Sequence, residues 1–132
     1  MYWLDPLQVA QFLVCAFFCV LFLQSGLDKV FDNKGNLEWM TPHFANSPFR
    51  NMVPVMLAII TVIELSAGAM SGVGAAMLLF GKVTWAVVGV GLSALALLFL
   101  FAGQRIAKDY AGAVTLATYF GVAMIGLFLL SQ

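Results

Sequence analysis

Charged side chains are scarce in this sequence of 132 residues, in which Asp, Glu, Lys and Arg together make up 9%. A soluble domain carries about 25% charged residues. Acidic and basic residues number six each, so there is no excess positive charge for binding nucleic acid. In contrast, 63% of the residues are hydrophobic, more than a globule of this size can bury. The composition excludes a soluble domain and a disordered segment, and it predicts an integral membrane protein in contact with a lipid bilayer.

Residues that bind metals are also scarce, with two cysteines and one histidine in the chain. Cys15 and Cys19 are four residues apart, which is not the spacing of a redox Cys-x-x-Cys pair, and a disulfide within a regular helix would need backbone distortion. His43 lies outside the apolar stretches, and we expect it at the surface. The sequence also contains no nucleophilic triad, phosphate-binding loop or zinc-protease motif. We therefore expect no metal site and no cofactor held by this chain alone, and the sequence shows no motif for autonomous catalysis.

Four apolar stretches reach the length of about 20 residues that a transmembrane helix needs. We predict spans at about 7–27, 52–73, 83–103 and 111–131, so that residues 1–132 form a single membrane domain. The second stretch exceeds one span, and we expect its helix to end at Ser71–Gly74, followed by a short segment over Ala75–Phe80. The predicted fold is all-α. It is a transmembrane antiparallel four-helix bundle with a short interfacial segment between helices 1 and 2.

Local signals mark the helix ends. Asp5 before Pro6, Ser47 before Pro48, and Asp109 are typical N-caps, and Gly81 is a typical stop. Small residues spaced four apart in the later spans allow helices to approach closely, inside the bundle or between copies of the chain. These pairs and triplets are Gly68 and Gly72, Gly89 and Ser93, and Ala113, Ala117 and Gly121.

Lysine and arginine are unevenly distributed between the two ends of the predicted bundle. Five of the six lie in the segment 28–50 or the loop between spans three and four, and only Lys82 lies at the other end. The positive-inside rule then predicts that both basic segments are cytoplasmic and that both termini lie outside. Tyr2, Trp3 and Trp85 would form an aromatic belt at the outer face.

The loop at about 28–50 is the only sizeable segment outside the spans. It mixes charged residues with Trp39 and Phe44, and Asn36 and Pro42 could begin and end a short helix. One interpretation is a segment that lies on the membrane surface or against a partner. The other is a loop that only caps its own bundle.

Glu64 is the one charged residue within a predicted span, and such residues are functional candidates by default. We place it near the middle of the bilayer, where Ser93, Thr118 and Tyr119 could join it in a polar layer together with the two cysteines. Such a layer could serve as a proton site or bind a small polar headgroup. The alternative is a structural glutamate tied to a neighbouring hydroxyl or carbonyl group.

A second group of polar residues is expected at the cytoplasmic mouth of the bundle. These residues could interlock and fix the helix ends, or they could form the entrance to a pocket for an anionic or quinone-like headgroup. They are Gln24, Ser25, Asp28, Lys29, Arg105, Lys108 and Asp109.

The sequence resembles the DoxX family of small bacterial membrane proteins over nearly its whole length. The resemblance rests on the four spans, residues 22–29 at the end of the first span, Glu64, and residues 104–112 before the fourth. An arginine associated with the start of the family's first helix is absent here. The resemblance implies a bacterial inner-membrane protein, whose termini, outside by the distribution of basic residues, would be periplasmic. It also implies association with redox systems such as thiosulfate:quinone oxidoreductase.

Three functions follow as hypotheses. The first is an accessory or membrane-anchor subunit of a quinone-linked redox complex, with quinone as cofactor and other membrane or redox subunits as partners. The second is a non-catalytic assembly or scaffold protein that uses the loop 28–50 for docking. The third is a small proton-coupled transporter, although known four-helix exporters carry their glutamate in the first span.

Overall fold

The computed structural model describes residues 5–132, which form five α-helices and no β-strand. The helices are α1 (Pro6–Phe31), α2 (Asn33–His43), α3 (Val53–Leu78), α4 (Thr84–Ile106) and α5 (Tyr110–Leu130). All except α2 are long and apolar enough to cross a membrane, so the chain is a multi-pass membrane protein. The all-α prediction is confirmed. Tyr2 and Trp3, expected in an aromatic belt, lie outside the described residues.

The four long helices form a bundle in which α1 packs on α3, α3 on α4 and α4 on α5, while α5 also contacts α1. Glycines allow two of these contacts to be very close. A Cβ atom on Gly68 would lie 2.7 Å from the backbone nitrogen of Leu23, and one on Gly89 would lie 2.6 Å from the Cα of Ser71. The stripes predicted on the second and third spans therefore pack inside the bundle, as small residues do between membrane helices.

The small-residue stripe of the fourth span does not face inward along its length. Ala113 is buried, but Ala117 and Gly121 are exposed. Each step of four residues advances a side chain by about 40° around the helix axis, so a strict four-residue stripe turns away from a nearly straight neighbour. α5 instead buries Ala123 and Gly126 in its later turns.

The expected end of the second span at Ser71–Gly74 is wrong. α3 continues to Leu78 because Gly74 is a packing residue, where a Cβ atom would lie 2.5 Å from the Cα of Ala86 on α4. The stop at Gly81 is confirmed, since its φ of +76° is a left-handed conformation that glycine adopts freely.

The caps at Asp5 and Asp109 are confirmed, because their carboxylates accept hydrogen bonds from the backbone N–H groups of Leu7 and Gly112. Ser47 does not cap α3. It organises a turn by bonding to Phe44 and Phe49, and α3 begins six residues later at Val53 without a side-chain cap. The cap of α2 is Asp32 rather than Asn36, and Pro42 lies inside the last turn of α2.

α1 and α3 are antiparallel and displaced along their axes. Gly26 lies against Leu65, and Gly72 lies against Cys19, so the end of α1 at Phe31 lies near residue 60 of α3. The first turns of α3 therefore extend about 10 Å beyond α1. α2 covers this extension through a small core of Met40, Phe44, Val53 and Leu57.

Candidate functional site

The most deeply placed charges form an ion pair between α1 and α3. The Lys29 ammonium lies 2.8 Å from Oε1 of Glu64, and the Glu64 side chain is only 2% exposed. Lys29 also donates a hydrogen bond of 2.9 Å to the Ser25 hydroxyl, one turn earlier on α1. Glu64, which we expected in a polar layer near the middle of the bilayer, is therefore paired with Lys29, which we expected at the cytoplasmic mouth of the bundle.

The displacement of α1 against α3 explains how these two residues meet. Glu64 lies eleven residues into α3, about 16 Å from its first residue, which suggested a position deep in the membrane. Beside α1, however, it lies at the level of the last two turns, where Lys29 is located. The side chain of Lys29 is 16% exposed, so its ammonium can reach inward while its stem remains close to the helix end.

The structure does not bring the expected polar layer to Glu64. The Ser93 hydroxyl lies 3.2 Å from that of Ser71 and donates to the carbonyl oxygen of Gly89. Thr118 is exposed and donates to a carbonyl oxygen of its own helix. The Tyr119 ring lies beside Phe17, with 6.0 Å between ring centroids.

The remaining residues of the predicted mouth cluster divide into separate contacts. Asp28 accepts a hydrogen bond from the Asn36 amide and so ties α1 to α2. The Arg105 guanidinium lies over the Tyr110 ring at 4.9 Å. Asp109 caps α5, whereas Gln24 and Lys108 are exposed. These residues fix individual helix ends and do not interlock as one network.

His43 makes a contact with Gln104 that the sequence does not predict. It was expected at the surface, but its side chain is 17% exposed, and its Nε2 lies 2.6 Å from Oε1 of Gln104 and 3.7 Å from Oδ2 of Asp109. Its ring stacks on Trp39 at 4.4 Å. The spacing of four places both rings on one helix face. Nothing local, however, indicates that Gln104, 61 residues later, is the partner.

Glu64 also lines a shallow apolar crevice between α3 and α4. Its other lining residues are Ile60, Ile63, Ala96, Phe99 and Leu100. The crevice therefore combines one carboxylate with aliphatic and aromatic walls. Among residues 5–132, no three His, Cys, Asp or Glu side chains lie together as a metal site would require.

Comparison with known family models, characterised proteins and solved structures found no match to this chain.

Proposed function

We propose that this protein is an accessory membrane subunit of a quinone-linked redox complex, as its resemblance to the DoxX family implies. The observation that supports this most directly is the Glu64 carboxylate, which is paired with Lys29 and lines the apolar crevice between α3 and α4. An ionisable group in such a position is a functional candidate because its burial in a membrane span is costly.

The chemistry of the crevice suits the headgroup of a quinone or quinol. A carboxylate only accepts hydrogen bonds, so Glu64 would accept one from a quinol hydroxyl. Lys29 does not line the crevice, but its ammonium lies 2.8 Å from Oε1 of Glu64 and would hold that carboxylate in its charged, accepting form. The walls formed by Ile63 and Phe99 would contact the apolar ring and the start of its tail.

The crevice is shallow, so the proposed site needs a second wall, which we assign to a partner subunit. Ligand sites normally enclose most of the ligand's surface, which this crevice cannot do alone. The described residues offer no cluster that could hold a metal redox centre. The proposal therefore assigns electron transfer to the partner subunit, and headgroup contact and membrane anchoring to this chain.

Gentle purification from the native membrane, followed by cofactor analysis, tests the proposal. We expect the chain to arrive with a subunit that carries flavin, haem or an iron–sulfur cluster, together with quinone. Glu64→Gln removes a charge-assisted hydrogen bond and should lower the retained quinone about tenfold. The matched control is Glu38→Gln, which neutralises an exposed glutamate of α2 and should retain the quinone.

A chain that purifies alone, without redox cofactor or quinone, would overturn the proposal. The second candidate is then a non-catalytic assembly protein, which the ion pair itself favours, because Lys29 and Glu64 join α1 to α3. In that case Glu64→Gln should weaken the fold without changing any redox activity of the membrane.

We further propose that the protein lies in the bacterial cytoplasmic membrane with both termini outside. The support is the distribution of basic residues, since Lys29, Lys34, Arg50, Arg105 and Lys108 belong to one end of the bundle and Lys82 to the other.

A further inference from the structure

α2 is held at both of its ends to the ends of membrane-spanning helices. At its beginning, the Asn36 amide donates to the carboxylate of Asp28 in the last turns of α1. At its end, His43 contacts Gln104 in the last turn of α4 and Asp109, the cap of α5. Both attachment points are positions where spanning helices begin or end, so α2 lies at one boundary of the bilayer.

One face of α2 packs on the first turns of α3. Met40 and Phe44 are buried against Val53 and Leu57 of α3. Trp39, on another face, is 57% exposed although its ring stacks on His43. Phe31, at the junction of α1 and α2, is 83% exposed.

The apolar surface of the spans continues beside α2. Val55, Ile59 and Val62 are exposed and follow one stripe of α3, and the first two precede the level at which α1 ends. If α2 stood in water, this apolar stripe of α3 and Phe31 would face water as well, which is unfavourable for a continuous apolar surface. We therefore expect lipid to cover the stripe, and this lipid also reaches the level of α2.

The charges of α2 and its flanks indicate the type of surface. Exposed Lys34 and Arg50 stand with exposed Glu38, Asp28 and Asp32, so neither sign dominates. A balanced set of charges beside an exposed tryptophan suits the headgroup region of a bilayer, where an indole ring has both an apolar body and a polar N–H group.

We infer that α2 is an interfacial helix, and that Trp39 and the exposed Phe31 before α2 bind the headgroup and upper acyl region of the phospholipids. This surface is then occupied by lipid and is not a docking site for a soluble partner. The inference does not depend on the proposed redox function.

Tryptophan fluorescence of the full chain in phosphatidylcholine vesicles tests the inference. Trp3→Phe with Trp85→Phe leaves Trp39 as the single tryptophan. We expect lipids brominated near the acyl carbonyl to reduce its emission about twofold, and lipids brominated near the methyl end to reduce it less. Aqueous iodide should have little effect.

Two other outcomes would overturn the inference. Strong quenching by iodide without an effect of brominated lipid would place α2 in water, and stronger quenching by deep than by shallow bromines would place it within the hydrocarbon. A second probe, Phe31→Trp in a background with all three tryptophans changed to Phe, should report the same shallow depth. Circular dichroism verifies that each variant remains helical.

Discussion

At the scale of single residues, the ion pair of Lys29 and Glu64 joins two spanning helices, α1 and α3. Burying two charges costs free energy, which their attraction and the hydrogen bond to Ser25 offset. The two partners are not equivalent, however. Glu64 is almost fully enclosed, whereas Lys29 keeps some access to the surface. Removing the lysine should therefore destabilise the protein more than removing the glutamate.

A double-mutant cycle measures this asymmetry. We expect Lys29→Met to lower the free energy of unfolding by about 3 kcal/mol, because it leaves the Glu64 carboxyl group buried without its partner. Glu64→Met should cost less, since the freed ammonium can turn outward. The double variant should cost less than Lys29→Met alone. Denaturant unfolding in a mild detergent gives the four free energies.

The control for this cycle is Lys34→Met, which removes an exposed lysine of α2 and should leave stability nearly unchanged. If the effects of Lys29→Met and Glu64→Met were simply additive, the two side chains would not interact in the folded protein, and the ion pair would not contribute as described.

At the scale of secondary-structure elements, glycine sets how closely α3 and α4 approach. We expect Gly89→Ala to lower the stability by about 1–3 kcal/mol, because its new methyl group would meet the backbone at Ser71. Backbone cannot move aside as the end of a side chain can, so the two helices must separate. The decrease in the midpoint of thermal unfolding measures the effect.

Gly91→Ala is the matched comparison on the same helix. A Cβ atom at Gly91 meets nothing within 4 Å, so this variant should be neutral or stabilise α4 by up to about 1 kcal/mol. Equal losses of stability in both variants would contradict close packing against Ser71 as the cause at Gly89, because a Cβ atom at Gly91 meets no neighbour.

At the scale of the whole molecule, the loops define two ends of the bundle. The contact between His43 and Gln104 brings the α2 segment and the α4–α5 junction to the same end, and the short connection from α3 to α4 lies at the other. We expect single cysteines placed at Lys34 and Lys108 to react from the same side of the membrane. A cysteine placed at Lys82 should react from the opposite side.

This labelling uses a protein in which Cys15 and Cys19 are changed to alanine. A thiol reagent that does not cross membranes is added either to intact cells or to inverted vesicles. The distribution of basic residues predicts that only the Lys82 position reacts in intact cells. If the cysteines at Lys34 and Lys108 reacted from outside, the proposed orientation would be reversed. If these two cysteines reacted from opposite sides of the membrane, the fold would be contradicted.

The candidate site was only partly predictable from the sequence. Glu64 and Lys29 each stood out by residue type, but Glu64 was assigned to the polar layer and Lys29 to the cytoplasmic mouth. Their pairing was not predictable because no short sequence pattern indicates the displacement between α1 and α3. Ser93 was expected beside Glu64 on the basis of depth alone. Depth along a helix does not fix the direction of a side chain, and Ser93 faces Ser71 instead.

An all-α protein with four helices long enough to span a membrane is predictable from the sequence, since apolar length and few charges are properties of continuous segments. The caps at Asp5 and Asp109 and the stop at Gly81 are predictable too, because they depend on interactions within a few residues. Three features become visible only in the folded chain: α3 runs through Gly74, Lys29 meets Glu64 and His43 meets Gln104. These features depend on how one helix is rotated and shifted against another, and that arrangement follows from the packing of all of them together.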